Sequence, residues 1–299
     1  MTFLLAHLTD PHIGPLPRPR RRDLMGKRIT GYLNWKSGRD RVHDMDVLAR
    51  IVADVKAQSP DHIAMTGDIL NIGLQAEFPQ ARAWLETLGA PADVSFTPGN
   101  HDAYVKSSLA ALARTFAPYA RDDGAPDHSE AHYPYVRVRG PVAIIGLSSA
   151  VPTAPFIASG SLGERQIAAL SRRLAETRAQ GLVRVVLIHH PPIRVGAPAA
   201  RGLIDARAFE ATLAAQGADL VLHGHNHRAS VHFIAGPNGA AIPVVGAASA
   251  SLTRGRSRAA YHLFSIEQTN GAARILAHAR GLMPGTNDIG DLGPLTVTP

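Results

Sequence analysis

Residues 94–102, Val-Ser-Phe-Thr-Pro-Gly-Asn-His-Asp, set an apolar, β-prone run against a polar turn. Asp93 to Thr97 read as a strand, and Gly99-Asn100-His101-Asp102 follow where it ends. The same pairing recurs at four other places. Phe3 to Thr9 leads into Asp10-Pro11-His12, and His62 to Thr66 into Gly67-Asp68. Val183 to Ile188 leads into His189-His190, and Ala218 to Leu222 into Gly224-His225-Asn226-His227. Strands buried between helices read as near-continuous apolar runs, and α/β sheets bind ligands at the carboxyl ends of their strands. Five strand ends of this kind are expected to deliver Asp, His and Asn side chains to one crevice.

Between these runs the pattern turns helical. Val42 to Gln58 places Val42, Met45, Leu48, Ile51, Val52 and Val55 at helical spacing, and Ser59-Pro60 stops it. A helix is expected from Pro79 to Gly89, another capped by Ser107 and reaching about Phe116, and an amphipathic one over Gly163 to Gln180. Asp205 is expected to cap a helix that ends at Gly217. Tyr133 to Arg139 and Val142 to Leu147 flank Gly140-Pro141 and read as a hairpin. Ser230 to Ala279 reads as short strands, and from Gly281 onward the Gly, Pro and Asp content suggests an irregular tail. The alternation followed by hairpins predicts an α/β fold of two packed sheets with helices outside, in one domain over 1–280 with a tail over 281–299.

Composition narrows the chemistry. With no cysteine in 299 residues, thiol catalysis, thiolate metal sites and disulfides are excluded. The N-terminus lacks the basic leader and cleavage site of a signal peptide, and no apolar stretch reaches the roughly 20 residues that span a bilayer. A cytoplasmic location is the expectation. The net charge of +7 is local: Arg18 to Arg41 holds nine Lys or Arg against Asp23 and Asp40, which accounts for the whole excess. Nucleic acid is therefore an unlikely partner, since it would need basic surface tracking a strand.

Taken singly, Asp-x-His, Gly-Asp or a His pair before Pro191-Pro192 is an ordinary strand-end turn. Together they are not ordinary: of fifteen histidines, His12, His101, His189, His225 and His227 all fall at strand ends beside Asp, Asn or Gly. Oxygen and imidazole donors without thiolate suit hard or borderline divalent metals. His7, His62, His223 and His262 read as structural or surface groups, and His190 is expected to point away from His189 if the strand continues that far.

The order Asp-x-His, Gly-Asp, Gly-Asn-His-Asp, His and Gly-His-x-His resembles the calcineurin-like metallophosphoesterase family, from Thr9 to His227. Gly160 to Leu174, with Leu162, Gln166 and Leu170, and the run His189-His190-Pro191-Pro192 are most similar to bacterial cyclic-nucleotide phosphodiesterase-like members. The resemblance implies a four-layer αββα sandwich of two mixed β-sheets flanked by helices. It also implies two divalent metal ions (manganese, iron or zinc), one held by Asp10, His12, Asp68 and His227. Asp68, Asn100, His189 and His225 would hold the other. His101 would face the substrate phosphate, Asn100 would help stabilise it, and Asp102 would orient His101 or the neighbouring loop. The implied reaction is attack of a metal-bridging hydroxide on a small phosphate ester such as a cyclic nucleotide.

The basic segment 18–41 begins just after the first ligand pair, with Tyr32, Leu33 and Trp35 among its cations. Three readings stay open for it: a mobile arm, a lid over the substrate, or a patch for anionic lipid headgroups. The last would place the protein peripherally at a membrane, like the family's lipid A precursor pyrophosphatases. A non-catalytic scaffold of the same fold would be expected to lack some ligands, and none is missing. The pattern identifies no oligomer interface.

Overall fold

The computed structural model describes residues 2–193, 200–255, 257–269 and 272–298. The first sheet starts with three parallel strands, β1 (Phe3–Leu8), β2 (His62–Met65) and β3 (Val94–Phe96), in which Leu5 pairs with His62 and Ile63 with Val94. The chain then builds a second sheet. Its strands are β4 (Tyr135–Arg139), β5 (Val142–Gly146), β6 (Val183–Leu187), β7 (Leu220–His223), β8 (Ser230–Ala235) and β9 (Ala241–Gly246), in the order 4-5-6-7-9-8. Finally β10 (Ala260–Thr269), β11 (Ala272–Leu282) and β12 (Ile289–Leu295) return antiparallel to the first sheet, giving the order 12-11-10-1-2-3.

Side-chain alternation along these strands makes three apolar layers. Between the sheets, Phe3, Leu5, Phe264 and Ile266 meet Val142, Ile144, Val185, Leu187, Leu222 and Val245. Outside the first sheet, Ala6, Leu8 and Met65 pack on α2 (Met45–Ala57) and α3 (Glu77–Leu88) through Leu48, Ile51, Val55, Phe78 and Leu85, with α4 (Leu109–Thr115) adding Leu112. Outside the second, Ile145, Val186, Val221 and Val244 meet Leu170 and Leu174 of α5 (Gly163–Ala179) and Phe209 and Leu213 of α6 (Ala206–Gln216). This is the αββα sandwich expected from the sequence. Each fully buried aliphatic side chain in these layers contributes roughly 1.5–3 kcal/mol.

Several local readings differ from the structure. The helix expected at Pro79 begins at Glu77, with Pro79 in its first turn. Ser107 caps nothing: Lys106–Ser108 is a 3-10 turn that hands over to α4 at Leu109. Asp205 precedes α6, but its carboxylate accepts from Ser161 Oγ and from the N–H groups of Leu162 and Gly163, so it serves the start of α5 instead. The segment read as an irregular tail contains β12, where Pro294 lies opposite His278. An edge strand tolerates proline because one side of its ladder is not needed.

The basic segment is ordered too. It forms a 3-10 turn at Arg21–Leu24, helix α1 (Lys27–Lys36) and a second 3-10 turn at Arg39–Arg41. Trp35 is buried, and the Arg28 guanidinium donates to the carbonyls of Ile72 and Gly73. A wholly mobile arm is therefore not what these residues form.

Candidate metal centre

The carboxyl ends of β1, β2, β3, β6 and β7 open on one side of the sandwich, and each is followed by a polar turn. Asp10 (φ 52°), His12 (φ 42°), Asp68 (φ 57°), His225 (φ 70°) and His227 (φ 51°) all adopt left-handed backbone conformations. Asp and His tolerate that region better than most residues, but five instances in one place are a concentration of strain of the kind found at functional sites. Two glycines make the convergence possible. A Cβ on Gly99 would lie 2.2 Å from Asp68 Oδ1, and one on Gly224 would lie 1.9 Å from Thr9 Oγ1.

The two carboxylates are each held by one oxygen and present the other. Asp10 Oδ2 accepts from Thr9 Oγ1 (2.8 Å) and the His225 N–H (3.0 Å), and Asp68 Oδ1 accepts from the His101 N–H (2.7 Å). On the presented side, His227 Nε2 lies 3.2 Å from Asp10 Oδ1, and His12 Nε2 lies 3.9 Å from it and 4.0 Å from Asp68 Oδ2. His189 Nε2 lies 3.3 Å from the same Asp68 oxygen. Donors bound at about 2.1 Å to one tetrahedral cation stand about 3.4 Å apart, so the 3.2 and 3.3 Å separations fit ligands around a common ion, while those of His12 are longer. Asp10 Oδ1, Asn100 Oδ1, His189 Nε2 and His225 Nε2 are buried with no hydrogen-bond partner. Buried polar atoms are normally satisfied, and a cation would supply what all four lack.

The imidazoles are set up for that role. His12 and His189 turn Nδ1 to the backbone carbonyls of Leu70 (3.2 Å) and Thr66 (2.6 Å), leaving Nε2 aimed inward. Burial, then Arg39, holds His12 well below the ordinary imidazole value, and burial, then His189, takes His225 down to about 3. Both are neutral and carry a lone pair. For Asp10, burial works upward but His227 outweighs it and brings the group to about 2; Asp68 is likewise held low by His189 and His101 against its burial. Burial favours a neutral His189, yet the nearby Asp68 carboxylate raises it to about 9. Two ionised carboxylates without enough positive charge around them produce that pull, which is the electrostatic complement of a cation site.

All seven residues expected as ligands are thus brought together; of these Asp68, Asn100, His225 and His227 line a cavity of ≈ 600 Å³ with His101 and Tyr104, and Asp10, His12 and His189 lie buried behind them. The His101 Nδ1–H donates to the Asn71 carbonyl, so Nε2 faces the cavity. Burial, then Arg39, lowers His101 to about 3.

Asp102, expected among the catalytic residues as the group that orients His101 or the neighbouring loop, hydrogen-bonds the loop and not His101. Its carboxylate accepts from the N–H groups of Asp68 (2.7 Å), Ile69 (3.0 Å), Leu70 (3.0 Å) and Gly99 (2.8 Å), and it is fully buried away from the cavity wall. It pins the turn that carries Asp68 to the turn that carries Asn100. Burial and the Asp68 carboxylate push it up to about 7, against the pull of the amides. His190 also differs from expectation. β6 ends at Leu187, so strand alternation no longer applies, and the His190 ring lies 5.0 Å from His189 and 4.6 Å from His225. Ser149 Oγ satisfies its Nδ1 at 2.7 Å.

Sequence reasoning missed three groups at the site. His43 forms a ligand-distance group with His12 and His227 and is fixed by Ser251 Oγ at 2.8 Å. Its signal was a histidine beside the helix N-cap Asp44, with no strand running into it to mark a strand-end turn. Arg39 donates to His12 Nε2 (2.8 Å) and His101 Nε2 (3.1 Å), and Lys27 reaches the opposite rim. Both had been counted only as charge.

A cradle of imidazole and carboxylate donors at the strand ends of an αββα sandwich is a candidate metal centre. The chain belongs to the calcineurin-like phosphoesterase family, whose model matches residues 3–229. It is 31% identical over 186 residues to a probable cyclic nucleotide phosphodiesterase of Synechococcus sp., covering 61% of this chain and 64% of that one. It is 29% identical over 137 residues to a probable glycerophosphodiester phosphodiesterase of Arcobacter nitrofigilis, covering 46% and 44%. The match thus spans less than two thirds of either curated relative. In fold it is similar to a dimetal phosphatase from Danio rerio, with a TM-score of 0.59 at 13% identity over 97% of this chain and 98% of that one.

Proposed function

We propose that the protein is a binuclear metal-dependent phosphodiesterase acting on a small phosphate ester, with a cyclic nucleotide as the first candidate. The observation that carries this is the division within the site. Asp10, Asn100, His189 and His225 offer buried, unpartnered donor atoms, whereas His101 has its Nδ1 anchored to backbone and turns its Nε2 to the cavity, where Arg39 donates to it. Asp10, His12, Asp68 and His227 would hold one divalent ion, and Asp68, Asn100, His189 and His225 the other, with Asp68 between them. When bound, such ions supply Lewis acidity and lower the pKa of water towards neutrality. The protein's own residues then do the rest. His101, once protonated at Nε2 in place of its contact with Arg39, and the Asn100 amide would meet the phosphate oxygens, and Asp102, through the four amides it accepts, keeps the two ligand turns in register. Manganese, iron and zinc all accept this nitrogen and oxygen donor set. The complete ligand set argues against a scaffold that has lost its chemistry.

The test is a panel of cyclic nucleotides, glycerophosphodiesters, nucleotide-sugar pyrophosphates and monoesters with manganese added. Diesters are expected to be hydrolysed in preference to monoesters, and the reverse preference overturns the reading.

A second reading, action at an anionic membrane surface, is favoured by one specific feature. Met25, Ile29 and Leu33 stand four residues apart along the α1 segment and are 77%, 47% and 60% exposed, flanked by exposed Arg21, Arg22 and Lys36. Among the described residues no helix is long and apolar enough to cross a membrane. An interfacial contact needs no such helix: each Lys or Arg near an anionic surface is worth about 1 kcal/mol. Sedimentation with phosphatidylglycerol vesicles at low salt should carry the protein down, and absence of binding there removes this reading.

A further inference from the structure

The cavity above the carboxylates carries three cations that belong to none of the strand-end motifs. Lys27 and Arg39 enter from the α1 segment and Arg201 from the opposite rim. Among the described residues none of the three is ion-paired with a carboxylate. Surface arginines and lysines are commonly unpaired, but Lys27 and Arg39 are positioned by hydrogen bonds, and Arg201 lines the same cavity. The Lys27 ammonium donates to Thr153 Oγ1 (2.6 Å) and the Ile157 carbonyl (3.2 Å) and sits 4.7 Å above the Tyr104 ring. Two of its three N–H donors are taken, which fixes the charge at the cavity wall and leaves one donor for a ligand. Arg39 lies between His12 and His101, which do not neutralise it; an ion on His12 Nε2 would displace the first contact and leave the guanidinium beside His101.

Electrostatics then sets a requirement on the ligand. The anions nearest to Arg39 are the carboxylates of Asp68 and Asp10, and divalent ions bound there would take up that negative charge. A simple phosphodiester brings a single negative charge, which two dications already exceed. The cavity, at ≈ 600 Å³, has room for a ligand much larger than one phosphate group. Arginine matches phosphate oxygens with two parallel N–H donors, and lysine binds them as a compact charge.

We propose that Lys27, Arg39 and Arg201 form an anion subsite beside the metal centre, and that the preferred substrate carries a second anionic group placed to reach it. A diphosphate-linked ester or a diester bearing a further phosphate has that character, whereas a simple cyclic mononucleotide or glycerophosphodiester does not. The proposal rests on the phosphodiesterase reading and moves its first candidate from a simple cyclic nucleotide to an ester with a further anionic group.

A matched pair of chromogenic esters tests it on the manganese-loaded protein: the p-nitrophenyl ester of thymidine 5′-phosphate, with and without a 3′-phosphate. The additionally phosphorylated ester should have kcat/KM higher by about tenfold or more, mostly through KM, as expected for charge-assisted hydrogen bonds. Arg201→Gln and Lys27→Met, made separately, should each bring the ratio of the two esters toward one. Equal kcat/KM for both esters in the unmodified protein, or a ratio that neither substitution changes, overturns the proposal.

Calorimetric titration with inorganic pyrophosphate and inorganic phosphate gives a readout independent of turnover. Pyrophosphate should bind more tightly, by a margin that shrinks in both variants. No hydrolysis together with that pyrophosphate preference sinks the phosphodiesterase reading and upholds the subsite. Hydrolysis without any charge preference does the opposite.

Discussion

Two groups of histidine are buried in this sandwich, and only one of them makes a site. His12, His189 and His225 lie just past the strand ends, whereas His7, His223 and His262 lie on β1, β7 and β10. Both groups contain ring nitrogens without partners: His189 Nε2 and His225 Nε2 in the first, and His7 Nδ1, His223 Nε2 and both nitrogens of His262 in the second. Burial depresses His7 and His262 just as it depresses His12 and His225. The difference is the company each keeps. Around His12 and His189, two carboxylates present free oxygens at 3.3–4.0 Å, on turns with left-handed backbone. Among the described residues, none of the groups with ligand atoms close enough to share an ion includes His7, His223 or His262. An unpartnered buried nitrogen is thus not enough; convergence on a carboxylate outside the sheet is what distinguishes the metal centre.

The sharpest way to break that distinction is to remove the shared carboxylate. Asp68→Asn is expected to abolish binding of at least one metal equivalent, read by elemental analysis, and to reduce turnover more than any other single change discussed here. Retention of both equivalents would mean that Asp68 does not join the two halves of the site. His101→Ala comes next, with an expected loss of about 10²–10⁴-fold in turnover and nearly unchanged metal content. An equal loss of metal would defeat the division between ligands and the free histidine.

Asp102→Ala is expected to act through geometry. Four amides lose their acceptor, so metal affinity should fall by about 10–100-fold, as it does when groups that orient ligands are removed. Most turnover should return at saturating metal. Turnover that stays low when both ions are bound would restore Asp102 to a direct part in the reaction.

How much of this was legible in the sequence depends on whether the signal was local. The strand-end motifs were, because an apolar run and the polar turn after it are contiguous, and glycine marks where the turns crowd together. The sandwich followed from the same runs. Long-range partnerships were not legible. Asp205 was read as the cap of its own helix, yet its carboxylate crosses to Ser161, Leu162 and Gly163. Asp102 was expected to orient His101 or the neighbouring loop; its bond to Gly99 lies within that loop, but those to backbone 32 to 34 residues away were not legible. Arg39 was hidden inside a charge run, where composition says nothing about which cation turns inward. β12 was hidden by its Gly and Pro content, because an edge strand needs only one partner.

The smallest effect belongs to the interior group, and it is where pH separates the two. His262 is fully buried on β10, and burial, then His223, lowers it from 6.5 to about 4. Its neutral form is favoured in the folded protein, while the unfolded chain takes up a proton near its ordinary value. This residue's contribution to stability is therefore fully present above about pH 6.5 and is lost as pH falls towards 4, by up to about 1.4 kcal/mol per pH unit. His262→Leu removes the titrating group and both unpartnered nitrogens while keeping an apolar side chain against Phe264. Denaturant unfolding at pH 7 should then differ from the unmodified protein by no more than about 1.5 kcal/mol, and the drop in stability between pH 7 and pH 5 should shrink. Metal content and turnover should not change. A loss of metal in this variant would show that the interior histidines support the centre through His7, whose Nε2 bonds Thr66 Oγ1 while the Thr66 carbonyl accepts from His189, and the two groups would then have to be treated as one.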